Sequence, residues 1–282
     1  MAYDSGVSFC EGVNLLFFAG LEGSFARRVS WIHLDLRRNS FALGLREFSR
    51  VLGKYDDFVF VSRGNRESFS HFFPDLERER LHVIYNPVDV SGILRKSLEV
   101  ENIPSSPPGR FRIMSVGRLV SVKRFDRLIK ACKMLCANGC QIELFILGSG
   151  PDAPQLNRLI AELDLGDDVH LIPFQENPYP WLKSADVFVS SSDSEGLPLV
   201  VSEAMILGVP IVATRTVGAG EVLENGKYGV LTDFSELALA EALMGLYREP
   251  QLRESCKKAL HEALEKKLLP FSATVESVER IL

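Results

Sequence analysis

Residues 111–147 read FRIMSVGRLVSVKRFDRLIKACKMLCANGCQIELFIL. Phe111–Val116 is a short apolar run that stops at Gly117. From Val122 to Ala137 the apolar residues Phe125, Leu128, Ile129, Cys132, Leu135 and Cys136 recur at the i, i+3, i+4 spacing of a helix face. Ile142–Leu147 reads as a second strand. Strand, helix and strand in this order predict parallel strands with the helix packed across them.

The same alternation extends outward. Toward the C-terminus the spacing predicts a helix over Pro154–Leu163, strands at Val169–Ile172 and Val187–Ser190, a helix at Pro198–Leu207 and a strand at Pro210–Ala213. A short strand at Gly229–Leu231 and helices at about 235–248 and 251–266 follow. Toward the N-terminus, Asp4–Phe9, Arg28–His33, Phe58–Ser62 and Leu81–Tyr85 read as strands with helices between them. Glu101–Gly109, with Pro104, Pro107 and Pro108, reads as a loop. The expected class is α/β, with parallel sheets covered by helices. The expected domains are residues 1–88, residues 89–266 and a closing helix in 267–282. In such sheets ligands bind beyond the carboxyl ends of the strands.

The chain has 282 residues, of which 46% are hydrophobic and 24% charged, enough for a packed core in about two domains. A net charge of −5 argues against a nucleic-acid partner, which calls for a basic face. The most apolar early run, Val13 to Leu21, is far shorter than the ~20 residues of a membrane span. The N-terminus lacks the positive region of a targeting peptide, so a cytoplasmic protein is expected. Arg27, Arg28, Arg37 and Arg38 surround Trp31, a patch suited to anionic lipid at the inner face of the membrane. The first 88 residues nonetheless hold 11 Lys+Arg against 11 Asp+Glu, which fits an ordinary solvated face equally well. Cys132, Cys136 and Cys140 fall four apart, but no histidine stands near to complete a metal site, and core packing explains them.

Four constellations sit where ligand chemistry is expected. Gly117-Arg118 and Lys123 follow the strand at 111–116 and open a helix. Cations there would face the phosphates of a ligand, although two solvated side chains would look the same. Gly148-Ser149-Gly150 follows the next strand and permits close approach of a ligand, or simply a tight turn. Glu195-Gly196-Leu197-Pro198 leads into a helix that carries Glu203, with Pro198 expected at its first position. The N–H groups around Leu197, Leu199 and Val200 would hold an anion, and the two carboxylates would accept sugar hydroxyls. Trp31-Ile32-His33-x-Asp35 ends an N-terminal strand, where His33 would touch a sugar or serve structure alone.

In this order the four pieces resemble the family 4 retaining glycosyltransferases. Gly117-Arg118-x4-Lys123 is similar to that family's diphosphate clamp, and Glu195 with Glu203 to its E-x7-E signature. Ile32-His33 resembles its N-domain histidine, and Tyr85-Asn86-Pro87-Val88-Asp89 its linker. Gly208-Val209-Pro210 and Gly218-Ala219-Gly220-Glu221 match later segments, and Phe9-x-Glu11-Gly12 resembles enzymes of bacterial surface-polysaccharide assembly.

The resemblance implies a GT-B-like fold of two Rossmann-like parallel-sheet domains, the first of them incomplete. It implies a donor site of Gly117, Arg118, Lys123, Gly148, Ile172, Phe174, Glu195, Gly196, Leu197, Leu199 and Glu203. The catalytic groups would be His33, Glu195, Arg118 and Lys123. A nucleotide-sugar, UDP-linked, would be the donor substrate, and a glycan or polyprenyl-linked molecule the acceptor. No metal or other cofactor is implied. Only 88 residues precede the linker and no Gly-rich opening loop is present, so the chain is expected to begin within a domain. That departure keeps a second reading open, a nucleotide-sugar-binding module without transferase activity. A Rossmann dehydrogenase would need a G-x-G-x-x-G sequence, which the loop after the second strand does not complete.

Overall fold

The computed structural model describes residues 3–21, 23–37, 45–99, 103–105, 107, 109–267 and 271–281. The chain divides into two compact units. The first comprises Met1–Pro87, Ser194–Leu197 and Leu269–Leu282; the second comprises Val88–Asp193 and Pro198–Leu268. Ser194–Leu197, expected with the second domain, thus groups with the first unit.

In chain order the first unit runs β1 (Tyr3–Phe9), α1 (Val13–Ala19), β2 (Phe25–Ile32), α2 (Leu45–Leu52), β3 (Asp57–Phe60), α3 (Arg63–Phe72) and β4 (Leu81–Val83). The second runs α4 (Val90–Lys96), β5 (Phe111–Val116), α5 (Phe125–Ala137), β6 (Ile142–Leu147), α6 (Ala153–Glu162), β7 (Val169–Ile172), α7 (Tyr179–Lys183), β8 (Val187–Ser190), α8 (Leu199–Ile206), β9 (Ile211–Thr214), α9 (Val217–Val222), β10 (Val230–Thr232), α10 (Glu236–Arg248) and α11 (Pro250–Lys267). The last helix, α12 (Phe271–Glu279), belongs to the first unit.

The first sheet has strand order β1-β2-β3-β4, and all its pairs are parallel. Side chains alternate across a strand, so Phe58 and Phe60 enter one core with Leu15, Phe48 and Phe69. Val59, between them, enters the opposite core with Val29, Ile84 and Ile281. Ser62 caps α3 by accepting the Asn65 N–H at 3.1 Å. β1 lies at the sheet edge, and Tyr3, Phe9, Val13 and Phe17 are exposed.

The second sheet has order β10-β9-β8-β5-β6-β7, again all parallel. Its strands are apolar on both faces, as a sheet covered on both sides requires. Ile113, Leu144, Val187 and Val212 pack under α5, α6 and α10. Their neighbours Met114, Phe145, Phe188 and Ile211 pack against Trp181, Val201, Met205 and Leu260 on the other side. From β5 the chain proceeds to β6 and β7 in one direction, then returns to lay β8, β9 and β10 on the other. The reversal places a topological switch point between β5 and β8, where a crevice opens in sheets of this kind.

Several expected boundaries move by one to three residues, and two of the shifts bear on the site. The helix expected from Val122 begins at Phe125, because Ser121–Lys123 forms a separate 3-10 turn and Arg124 takes a left-handed backbone (φ 51, ψ 44) that an α-helix cannot continue through. Pro198 is the cap before α8 rather than its first residue, with φ −73 and an extended ψ of 102. Cys132 and Cys140 are buried, and the Cys136 Sγ lies 3.8 Å from the Asp168 carboxylate.

Candidate functional site

The carboxyl ends of β5, β6 and β7 form a continuous crest. The Gly117 N–H donates to Leu147 O at 3.0 Å, and the Gly148 N–H to Ile172 O at 2.9 Å. The following turns are linked too, Leu119 N–H to Ser149 O at 3.0 Å and Phe174 N–H to Ser149 Oγ at 3.2 Å. Gly117, Gly148, Ile172 and Phe174, four expected donor-site positions, therefore share one edge of the second unit. Gly148 has φ +151, and a methyl there would meet the Gly117 carbonyl; a methyl at Gly150 would meet the Leu119 backbone. These glycines let two turns approach each other, which is the tight-turn role left open by their sequence. Phe174 is 72% exposed on this crest.

Arg118 is exposed just after β5. Lys123 is half-buried, and the side-chain carbons of Lys123 lie over Gly117. The turn carrying it is stitched to the loop after β8. Ser191 Oγ donates to the Lys123 carbonyl at 2.8 Å, and the Asp193 N–H donates to Val122 O at 2.8 Å. The Asp193 carboxylate receives Arg124 at 2.9 Å and Arg127 at 2.6 Å, and Arg127 also donates to Ser191 O at 2.8 Å. Arg124 further pairs with Asp126 at 2.9 Å. The two arginines hold the Asp193 carboxyl below the usual carboxylate range against the opposing effect of burial.

Helix α8 follows β8, one of the two strands that flank the switch point. The first N–H groups of any helix lack partners within it; here Val201 and Ser202 turn theirs to Pro198 O. Those of Leu199 and Val200 come before any acceptor in the helix. Glu203 stands one turn in, half-buried, with the Tyr179 hydroxyl donating to its Oε1 at 3.4 Å. Burial pushes the Glu203 carboxyl up. Burial first, then the neighbouring Glu203, pushes the Tyr179 phenol up to about 12. Tyr179 is anchored through Asn177, whose Oδ1 accepts the Tyr179 N–H at 3.3 Å and whose Nδ2 donates to Lys96 O at 3.0 Å and to Glu99 at 2.9 Å.

His33, Glu195, Gly196 and Leu197 belong to the first unit. His33 follows β2, and its ring packs edge-on against Phe9 with centroids 4.7 Å apart. Its Nδ1 is buried with no hydrogen-bond partner among the described residues, and burial pulls its pKa down. Glu11 accepts the backbone N–H groups of His33 and Leu34, fixing the turn that carries the imidazole. A methyl on Gly196 would run into the His33 carbonyl and the Asn65 amide, so Gly196 and His33 pack directly together. Asp35 accepts Ser68 Oγ at 2.6 Å and is buried, a structural role. Of the arginines around Trp31, Arg27 is paired with Asp57 at 2.7 Å and Arg28 donates to Leu21 O at 2.7 Å, while Arg38 lies outside the described residues. No helix among the described residues is long and apolar enough to cross a membrane.

The sequence pattern of the family described as Glycosyl transferases group 1 matches residues 98–262, more than half of the chain. The chain belongs to that family, as its resemblance to family 4 enzymes implied. A Campylobacter jejuni relative, an N-acetylgalactosaminyltransferase acting on a diphospho-undecaprenol-linked sugar, is 29% identical over 78% of this chain and 59% of its own length. LpsE of Rhizobium meliloti, a lipopolysaccharide core glycosyltransferase, is 31% identical over 54% of this chain and 44% of its own. The chain spans about half the length of the curated relatives it matches. Among solved structures, Anabaena HepE with UDP and glucose aligns with a TM-score of 0.74 at 21% identity, over 95% of this chain and 74% of that one. Staphylococcus aureus TarM with UDP gives 0.76 at 19% identity, over 98% and 55%. These likenesses establish the GT-B class of fold for this group 1 member, with Rossmann-like parallel sheets of four and six strands.

Proposed function

We propose that the protein transfers a sugar, with retention of configuration, from a UDP-sugar to a glycan or lipid-linked acceptor in surface-polysaccharide assembly. The observation that carries this reading is the second unit's crest, where Gly117, Lys123, Gly148 and Ile172 gather at the carboxyl ends of β5, β6 and β7 and Glu203 stands on the helix after β8. The relatives named above act in lipopolysaccharide or lipid-linked glycan synthesis.

In this reading Arg118 and Lys123 bind the donor diphosphate with the first N–H groups of α8. As the bond from the sugar to the diphosphate breaks, negative charge grows on the leaving oxygen. Cations fixed in advance are then worth more than in the ground state, which is the condition for catalysis. Glu203 accepts the ribose hydroxyls, and Phe174 with Ile172 lies beside the base. Glu195 holds the hydroxyls of the transferred sugar, Gly196, Leu197 and Leu199 line the same string, and His33 lies near that sugar. The acceptor hydroxyl attacks the face from which the diphosphate departs, and its proton passes to the leaving phosphate oxygen.

The test is release of UDP from a panel of UDP-sugars in the presence of lipid-linked acceptors. Arg118→Ala is expected to lower kcat/KM at least about 100-fold, the scale of losing one pre-placed charge-stabilising group, and Glu203→Ala at least about tenfold, mainly through KM, the scale of losing a hydrogen bond to a charged group. Turnover that survives both substitutions contradicts the assignment. UDP binding with no turnover on any acceptor would favour the binding-module reading.

A further inference from the structure

Resting on that reading, we infer that Asp193 is a positioning residue for the diphosphate clamp, acting through Arg124 and Arg127 on the turn that carries Lys123. Hydrogen bonds join residues 122–127 to residues 191–193. Two come from the chain near Lys123, through Ser191 Oγ to Lys123 O and Asp193 N–H to Val122 O. Three come from guanidinium groups, Arg124 to Asp193, Arg127 to Asp193 and Arg127 to Ser191 O. Arg127 is buried, so its pairing with Asp193 is shielded from solvent on the arginine side.

The backbone of Arg124 supplies the independent observation. A non-glycine residue in the left-handed region is uncommon and persists only where surrounding contacts hold it. Arg124, at φ 51, immediately follows Lys123. Its guanidinium is gripped on two sides, by Asp126 and Asp193. A glycine would make the same turn without strain but would remove the Arg124–Asp193 tie to the loop after β8. Arginine here sets both the turn and its place beside the switch point. Lys123 thereby receives a fixed starting point for a flexible side chain, which otherwise loses considerable rotamer freedom on binding an anion.

The test compares wild type with Asp193→Ala and with Arg124→Gly, the latter a change that the backbone accommodates without strain. Two readouts separate this inference from the functional reading beneath it. Amide hydrogen exchange needs no ligand: both variants are expected to speed exchange in residues 119–127 about tenfold or more while the β-strand amides of the second unit stay protected. Calorimetric titration then uses UDP and uridine. UDP affinity is expected to fall roughly tenfold, since small displacements of a charged group cost heavily, while uridine affinity is unchanged. Unchanged exchange and unchanged UDP affinity in both variants would overturn the inference. Equal losses for UDP and uridine would also overturn it, since that marks general damage. A wild-type protein that binds no UDP while the exchange result holds would sink the functional reading and leave only a structural tie.

Discussion

The hydroxyl of Tyr179 lies 3.4 Å from Oε1 of Glu203, across the gap between α7 and α8. With its phenol pushed up to about 12, Tyr179 stays protonated and donates throughout the physiological range. The bond occupies one carboxylate oxygen and leaves the other to accept a ligand hydroxyl. At 3.4 Å the bond is long, so its removal costs less than the ~1.5–3 kcal/mol of a short hydrogen bond to a charged group. Tyr179→Phe is therefore expected to raise donor KM severalfold with kcat nearly unchanged, because the ribose contact proposed for Glu203 would be made equally in ground and transition states. An unchanged KM would show that Glu203 needs no such orientation.

Glu203 also couples the site to pH. Its folded-state pKa is raised above the ordinary 4.5 by burial. The folded protein thus holds this proton more tightly than the unfolded chain. Ionisation costs stability progressively as pH rises through the unfolded value, and the cost is fully developed above the folded pKa. Glu203→Gln removes the charge, so its melting temperature is expected to exceed wild type at pH 7.5 and to converge with it at pH 4. Thermal unfolding at the two pH values decides this; a variant less stable at pH 7.5 would mean that the charge is held favourably.

The crest tolerates no side chain at Gly148. Its φ of +151 disfavours any L side chain, and a methyl meets the Gly117 carbonyl. Gly148→Ala is expected to destabilise the second unit by about 2 kcal/mol or more. Calorimetry should show a lower melting temperature, roughly 5 °C for a domain of this size. A melting temperature within 1–2 °C of wild type, about the scale of a neutral surface change, would contradict the packing described.

Phe174 exposes an aromatic ring beside the end of β7. Stacking a base on such a ring contributes about 1–3 kcal/mol. Phe174→Ala is expected to weaken UDP binding about tenfold without altering stability, a combination that isothermal titration and thermal unfolding read together. Unaltered UDP affinity would remove Phe174 from the site.

The strands of the second sheet were legible because a sheet covered on both faces writes them as largely apolar runs, as in Val187–Val189, with the charged Arg112 and Glu143 paired across β5 and β6. The Gly117-Arg118-x4-Lys123 and Glu195-x7-Glu203 strings stand out in the sequence because each is local. Short helices were not: α4, α7 and α9 have seven, five and six residues, too few for a period to show. The start of α5 was misplaced because Val122 keeps helical spacing with Phe125 and Ile129 across a 3-10 turn that spacing alone cannot detect. Pro198 suits the first helical position but equally suits the extended backbone it adopts. The supporting contacts Asp193–Arg124, Tyr179–Glu203 and Glu11–His33 join residues 69, 24 and 22 apart, distances at which no local pattern operates.

The central claim is a nucleotide-sugar donor site in the second unit built around Arg118, Lys123 and Glu203. Its most direct test is calorimetric titration of the folded protein with UDP, GDP and ADP, repeated on Glu203→Ala. Selective binding of UDP that weakens at least about tenfold in the variant is predicted. No binding to any of the three, or binding indifferent to Glu203→Ala, would contradict the account.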